Sequence, residues 1–251
     1  MMQTVETQDL PTAWADAFLK CYESPGGTLS PCIVKFNATD ESTWNEIIQN
    51  KLDKILKKSN AYETTTVRNT IFPENIWKMS NGNRQAFYDK YNKLWPKICL
   101  TQQNRLGCYF KRLIDFEHEG KKINQLEEII AIWNSGTHRK SALQATIFSP
   151  FNDLSHAKRR GFPCLQQVAF LPEGANGKEG LTIVGFYVTQ DCYRKAFGNY
   201  WGLMCLGRFM AEAMNIPFNG VCCIASHYTL GASKVKLEKL HTDLLKKVKR
   251  K

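Results

Sequence analysis

Apolar residues return at three- and four-residue steps along several stretches of the chain, and this spacing predicts helices. Thr12 to Cys21 is the first, and Ser42 to Lys58, with Trp44, Ile47, Ile48, Leu52 and Ile55 in register, is the second. Ser24-Pro25-Gly26-Gly27-Thr28 between them reads as a turn. A short helix is expected from Glu74 to Met79, broken by Ser80-Asn81-Gly82-Asn83. A longer one runs from Arg84 to Trp95, where Pro96 should stop it, since proline has no N–H to give and its ring crowds the preceding turn. Ile123 to Trp133 gathers Ile123, Leu126, Ile129, Ile130 and Trp133 on one side and closes near Asn134-Ser135-Gly136.

The second half changes character. Ala142 to Phe148, Cys164 to Phe170 and Leu181 to Val188 have the β-branched and aromatic content of strands; a long apolar helix from Trp201 to Met214 and a short strand from Val221 to Ala225 follow. Helices interleaved with strands predict an α/β or α+β fold. No repeat or linker divides residues 1–232, read as one domain, and residues 233–251 read as a basic amphipathic helix at its end.

Composition narrows the classes. With 251 residues, 43% of them hydrophobic, the chain can bury a sizeable core. No apolar run approaches the roughly 18 residues of a membrane helix, and the opening residues lack the basic-then-apolar order of a secretory signal, so a cytoplasmic protein with no membrane partner is expected. Nine scattered cysteines without a CxxC pair suggest neither a disulfide framework nor a zinc ribbon, and no metal is expected. The formal charge of +11 is concentrated between Lys234 and Lys251, which hold seven lysines and one arginine. Leu237, Leu240, Leu244 and Val248 form the apolar stripe of that segment. Its cationic face suits either plain solvation or an acidic partner such as nucleic acid, and both readings stay open.

Candidate chemistry appears as an ordered set of landmarks: Arg139-Lys140, a strand, Pro163-Cys164, a strand, Asp191, Asn199, a long helix, and His227. Taken together they resemble the landmarks of the thymidylate synthase family over roughly residues 10 to 230, most firmly after Ile123. Val188-Thr189-Gln190-Asp191 followed by Asn199 partly matches a family motif of Arg-Ser-x-Asp, seven residues and Asn. Thr70-Ile71-Phe72-Pro73-Glu74-Asn75-Ile76-Trp77 looks like the helix that carries the family's glutamate, and Gly27-Thr28-Leu29-Ser30 is similar to its early phosphate loop. The resemblance implies a mixed sheet flanked by helices, a homodimer, a pyrimidine nucleotide as substrate and 5,10-methylenetetrahydrofolate as the one-carbon donor.

In that frame Cys164 is the nucleophile. A pyrimidine is electron-poor at C6 and inert at C5, so thiolate addition to C6 creates an enolate-like C5 that can attack a one-carbon electrophile. A thiolate is strongly nucleophilic and can leave again, and positive charge nearby favours it; Lys158, Arg159 and Arg160 stand just ahead in sequence. Glu74 is implied as a proton relay, Asn199 as the group meeting the O4 and N3 edge of a uracil, and Asp191 as a contact to the cofactor's pterin. Arg139 and Lys140 would bind the 5′-phosphate of the neighbouring subunit's nucleotide; His227, with Tyr228 or Thr229 beside it, would bind the sugar. Each residue also has an ordinary structural reading: a buried thiol for Cys164, a first-turn glutamate for Glu74, a helix cap for Asn199, a turn residue for Asp191, a solvated pair for Arg139 and Lys140.

Several positions depart from the family pattern. Glu23 stands where a phosphate-binding arginine is expected and Val188 where another would be, with Arg194 or Lys195, or Arg159 and Arg160, as substitutes. Leu165 replaces the histidine after the nucleophile, Leu106 replaces a tyrosine that assists proton removal at C5, and a lysine-rich helix takes the place of the segment that closes over folate. Three functions therefore compete: methylation or hydroxymethylation at C5 of a uridylate-like nucleotide, nucleotide binding without turnover in a sensor or regulator, and nucleic-acid binding through the basic tail.

Overall fold

The computed structural model describes residues 2–37, 46–102, 104–136, 139–156, 162–174 and 179–248. In chain order these form β1 (Gln3–Thr7), α1 (Leu10–Glu23), β2 (Thr28–Leu29), β3 (Cys32–Asn37), α2 (Glu46–Lys58), α3 (Thr64–Ile71), α4 (Glu74–Lys78), α5 (Arg84–Ile98) and α6 (Tyr109–Ile114). A small hairpin, β4 (Phe116–His118) and β5 (Lys121–Ile123), leads to α7 (Gln125–Asn134), β6 (Gln144–Thr146), α8 (Pro150–Asp153), β7 (Leu165–Glu173), β8 (Gly180–Asp191), α9 (Phe197–Ala213), β9 (Phe218–Thr229) and α10 (Lys234–Val248).

The main sheet runs β1-β3-β9-β8-β7-β6, with β2 paired to β9. It is mixed: β1 with β3 and β8 with β9 are parallel, the other pairs antiparallel. The fold is therefore the expected mixed α/β sheet flanked by helices. Alternation sets its two faces. Val34, Cys223 and Gly185 lie side by side on the face toward α9, where a Cβ on Gly185 would meet Leu203 at 2.7 Å. Ile33, Ile224 and Phe186 form the matching row on the other face.

Helix α9 is buried almost all round and serves as the inner strut. Its first turns take α3 at very close range. A Cβ on Gly198 would lie 2.5 Å from Val67 Cβ and 2.6 Å from the Thr64 carbonyl, so only glycine allows the crossing. That crossing sets Val67 and Thr70 opposite Asn199. Gly198→Ala is expected to lower stability by about 1–3 kcal/mol through overpacking. Chemical denaturation reads this directly, and an unchanged midpoint would contradict so close an approach.

Some expected boundaries move. Pro96 does not end α5, which continues to Ile98; so near the C-terminus the missing proline N–H removes one hydrogen bond, and Cys99 N–H still closes on the Trp95 carbonyl. Ile123 belongs to the hairpin rather than to α7, which starts after Asn124, whose side chain caps the Leu126 and Glu127 amides. The segment 38–45, where the second helix was expected to begin, lies outside the described residues, as do Thr137, His138, Lys158, Arg159 and Arg160. Helix α10 lays Leu237, Leu240 and Leu244 into the core beside α1, with His241 stacked on Tyr22 at 4.0 Å and Lys51 paired with Asp243 at 3.1 Å. Lys236, Lys239 and Lys246 face solvent. No helix among the described residues is long and apolar enough to cross a membrane.

Candidate functional site

A cavity of about 210 Å³ opens where the ends of β7, β8 and β9 meet α3, the start of α9 and the loop before α6. Cys164, Asn199, Asp191, Lys195, Tyr109 and Thr229 are among the residues that line it. Cys164, half-buried at the entry to β7, accepts a long hydrogen bond from Thr189 Oγ1 at 3.6 Å. All nine cysteines are free, and Cys164 is the one whose sulfur-bearing residue opens on this cavity together with a polar wall; Cys108, also in the wall, is buried and donates to the Thr70 carbonyl at 3.2 Å.

Asn199 is no helix cap. It sits in the first turn inside α9, which begins at Phe197, and its carboxamide has no hydrogen-bond partner among the described residues although only 5% of the residue is exposed. The reason is the wide turn Cys192–Ala196 ahead of it. Asp191 caps that turn, its Oδ1 accepting from Arg194 N at 2.8 Å and its Oδ2 from Arg194 Nε at 2.7 Å. Trp14 Nε1 donates to the Cys192 carbonyl at 2.9 Å and fastens the turn to α1. Arg194 holds Asp191 through Nε and does not line the cavity, whereas Lys195 does, its ammonium lying 4.9 Å from the centre of the Tyr62 ring. Lys195 is the one cation in the wall among the described residues. Burial pulls its ammonium below the ordinary lysine range, opposed by the charge of Asp191.

The expected tyrosine position is Leu106, a residue 44% exposed, and the expected histidine position is Leu165, fully buried. A phenol nevertheless reaches the wall from Tyr109, three residues beyond Leu106. Burial, reinforced by Cys164, pushes its hydroxyl well above the ordinary tyrosine range, so near neutral pH it offers a donor and not a base. Its ring packs on Phe162 at 5.1 Å, and Phe162 is held in turn by the Arg112 guanidinium at 4.9 Å. Arg112 forks onto the buried Asp153 carboxylate, which locks this side of the cavity to α8.

Other expected residues lie elsewhere. Glu74 does not line the cavity: it pairs with Arg68 at 2.5 Å and Lys78 at 2.9 Å, and Arg68 also stacks on Trp201 at 4.4 Å. Its neighbours Pro73 and Asn75 face a second space of about 340 Å³, which shares Thr70, Asn104 and Cys108 with the first. Tyr228 is fully buried beneath the start of α9, donating to Cys192 Sγ at 3.2 Å and accepting from Tyr200 at 3.3 Å, and Thr229 rather than Tyr228 reaches the wall. His227 stands opposite Thr189 in the β8–β9 register, exposed, with Nδ1 3.0 Å from Ser30 Oγ in the early loop. Arg139 and Lys140 are exposed beyond the β6 edge and outside this cavity; Glu23 is exposed near His241. Among the described residues no group of three or more His, Cys, Asp or Glu could hold a metal ion.

No protein-family model matches the chain. Over 193 residues, 70% of this chain and 81% of the other, it is 27% identical to the "Putative thymidylate synthase" of Methanocaldococcus jannaschii. The chain is thus thymidylate-synthase-like at the level of sequence similarity, and its mixed sheet with flanking helices is consistent with such a fold.

Proposed function

We propose that this protein binds a uridylate-type nucleotide and activates C5 of its ring through a transient bond between Cys164 Sγ and C6. The observation that carries the reading is the shared cavity: half-buried Cys164, Asn199 and the cationic Lys195 line one space of about 210 Å³. The thiolate adds to C6, and the electron pair of the C5–C6 double bond moves onto C5 and O4. Lys195 stabilises the charge that develops there. C5 then takes a proton from solvent; when C5 gives up a hydrogen and the C6–S bond breaks, the ring is restored and the C5 hydrogen has exchanged. This cycle consumes no co-reactant. In deuterated water, loss of the C5 proton signal of 2′-deoxyuridine 5′-monophosphate measures it, and absence of exchange from every pyrimidine nucleotide tried would defeat the reading.

Methyl or hydroxymethyl transfer would use the same activated carbon, with 5,10-methylenetetrahydrofolate supplying the one-carbon unit when bound. Asp191, expected at its pterin, has both carboxylate oxygens on Arg194. Each oxygen keeps a further lone pair and Asp191 lines the cavity, so this carboxylate would hold the pterin's N–H groups when the cofactor is bound. A second reading, nucleotide binding without turnover, is favoured by Glu74, whose carboxylate is held by Arg68 and Lys78 away from the wall. Saturable binding without exchange would select it.

A second copy of the chain belongs to the proposal. Phe186 and Val188, 38% and 45% exposed, project from the sheet face opposite α9, continuous with Ile224 and Ile33. Such an apolar strip on a wide sheet calls for a cover. A twin sheet would supply it and would carry the exposed Arg139 and Lys140 toward the partner's phosphate. Phe186→Glu is expected to halve the mass measured by light scattering; a wild-type protein that is already monomeric at micromolar concentration would contradict the dimer.

A further inference from the structure

Two carboxamides in the cavity wall each end in a buried polar atom without a hydrogen-bond partner: Asn104 Oδ1 and Gln190 Nε2. Both residues are more than nine-tenths buried, 8% and 3% exposed. The orientation of each amide is set by its neighbour. Thr101 Oγ1 gives its proton to the Ile98 carbonyl at 2.7 Å, so toward Asn104, at 3.1 Å, it can only accept; Nδ2 takes that side and Oδ1 is the free atom. Cys223, fully buried and kept protonated by that burial, donates to Gln190 Oε1 at 3.4 Å and leaves Nε2 free. Asn104 and Gln190 thus line the cavity with a spare acceptor and a spare donor lying just beneath its surface, beside the carboxamide of Asn199. Buried polar atoms are rarely left unpaired, and two of them beside one cavity point to a ligand that completes them.

We propose that Asn104 and Gln190 are specificity residues that divide the polar edge of the substrate ring with Asn199. This rests on the uridylate reading above. A ring joined to its sugar through N1 presents a carbonyl, an N–H and a second carbonyl in sequence. Asn104 accepts from the ring N–H, Gln190 donates to one carbonyl, and Asn199 takes the other. The site thereby selects an imide, and a ring whose N3 hydrogen is replaced by methyl leaves Asn104 unpaired and adds bulk against it.

Calorimetric titration with 2′-deoxyuridine 5′-monophosphate and its N3-methyl derivative tests the assignment, alongside thermal unfolding of the ligand-free proteins. Asn104→Leu and Gln190→Met are each expected to weaken binding of the unmethylated nucleotide about tenfold or more. Their unfolding midpoints should change little, because each variant removes an unpaired buried polar atom together with a single hydrogen bond, to Thr101 or from Cys223. Asn104→Leu should also lose most of the preference for the unmethylated ring. Gln190→Glu, which exchanges the donor for an acceptor in the same shape, should weaken binding as well and serves where Gln190→Met fails to fold. Wild-type affinity in the variants, or lower midpoints with affinity intact, would overturn the assignment and leave the uridylate reading standing. A wild-type protein that binds no pyrimidine nucleotide would remove both.

Discussion

Cys164→Ser is expected to abolish exchange of the C5 hydrogen, lowering the rate by about a thousandfold or more, while nucleotide binding changes little. Serine is close to cysteine in size, and the hydroxyl can keep the contact that Thr189 Oγ1 makes with the sulfur at 3.6 Å. The cavity walls are set by other residues: Phe162 by Arg112, and Asn199 by the capped turn that Asp191 begins. What disappears is the nucleophile. An alcohol is scarcely ionised at neutral pH, whereas a free thiol is a few per cent thiolate and far more reactive as such. Binding and chemistry should therefore separate cleanly: titration gives a near-normal affinity, and proton spectra in deuterated water show no loss of the C5 signal over times in which the wild type exchanges fully. A serine variant that retained exchange would mean that another group activates C5. Cys108, the other thiol in the wall, is already engaged with Thr70 and Tyr91, and burial raises its thiol above the ordinary cysteine range, so it is poorly suited to take over.

Much of the architecture was legible because periodicity reports burial. The apolar stripes of α1, α5 and α7 and the strand character of β7, β8 and β9 all appear in the chain itself. Helix α3 was not legible: Thr64-Thr65-Thr66-Val67 is rich in β-branched residues with weak helix propensity, and the helix exists because Gly198 and Gly202 of α9 leave room for it. The apolar pattern starts α9 at Trp201, whereas the helix begins at Phe197, since the turn that launches it depends on Asp191, six residues before Phe197, closing onto Arg194. The site divides in the same way. Pro-Cys and the distant Asn199 are visible as residue types in order, and they do meet at one cavity. Glu74 looked equally suited, but Arg68, one α-helical turn and a proline upstream, captures its carboxylate. Which of Arg194 and Lys195 would face the cavity could not be read from adjacent cations. The spare atoms of Asn104 and Gln190 have no sequence signature at all, because being unpaired is a property of the packed surroundings.

Lys195→Met should lower the exchange rate by about a hundredfold or more at saturating nucleotide, with a smaller effect on KM. The argument is one of timing. Before thiol addition the ring is neutral and gains little from the ammonium; after it, the electron pair displaced onto C5 and O4 is negative and sits in a wall with no other cation among the described residues. A charge needed only at that stage acts on kcat more than on binding. The pH dependence supplies an independent check. Burial lowers the Lys195 ammonium from its ordinary range, and the nearby Asp191 restores only part of that loss. The charged form is the useful one, so the exchange rate should fall as pH rises through this lowered value, at a lower pH than an exposed lysine would impose. Lys195→Arg keeps the charge throughout that range and should move the alkaline fall to higher pH while retaining a substantial rate. A methionine variant as fast as wild type would remove Lys195 from the chemistry. An arginine variant with an unmoved alkaline limb would assign that limb to another group.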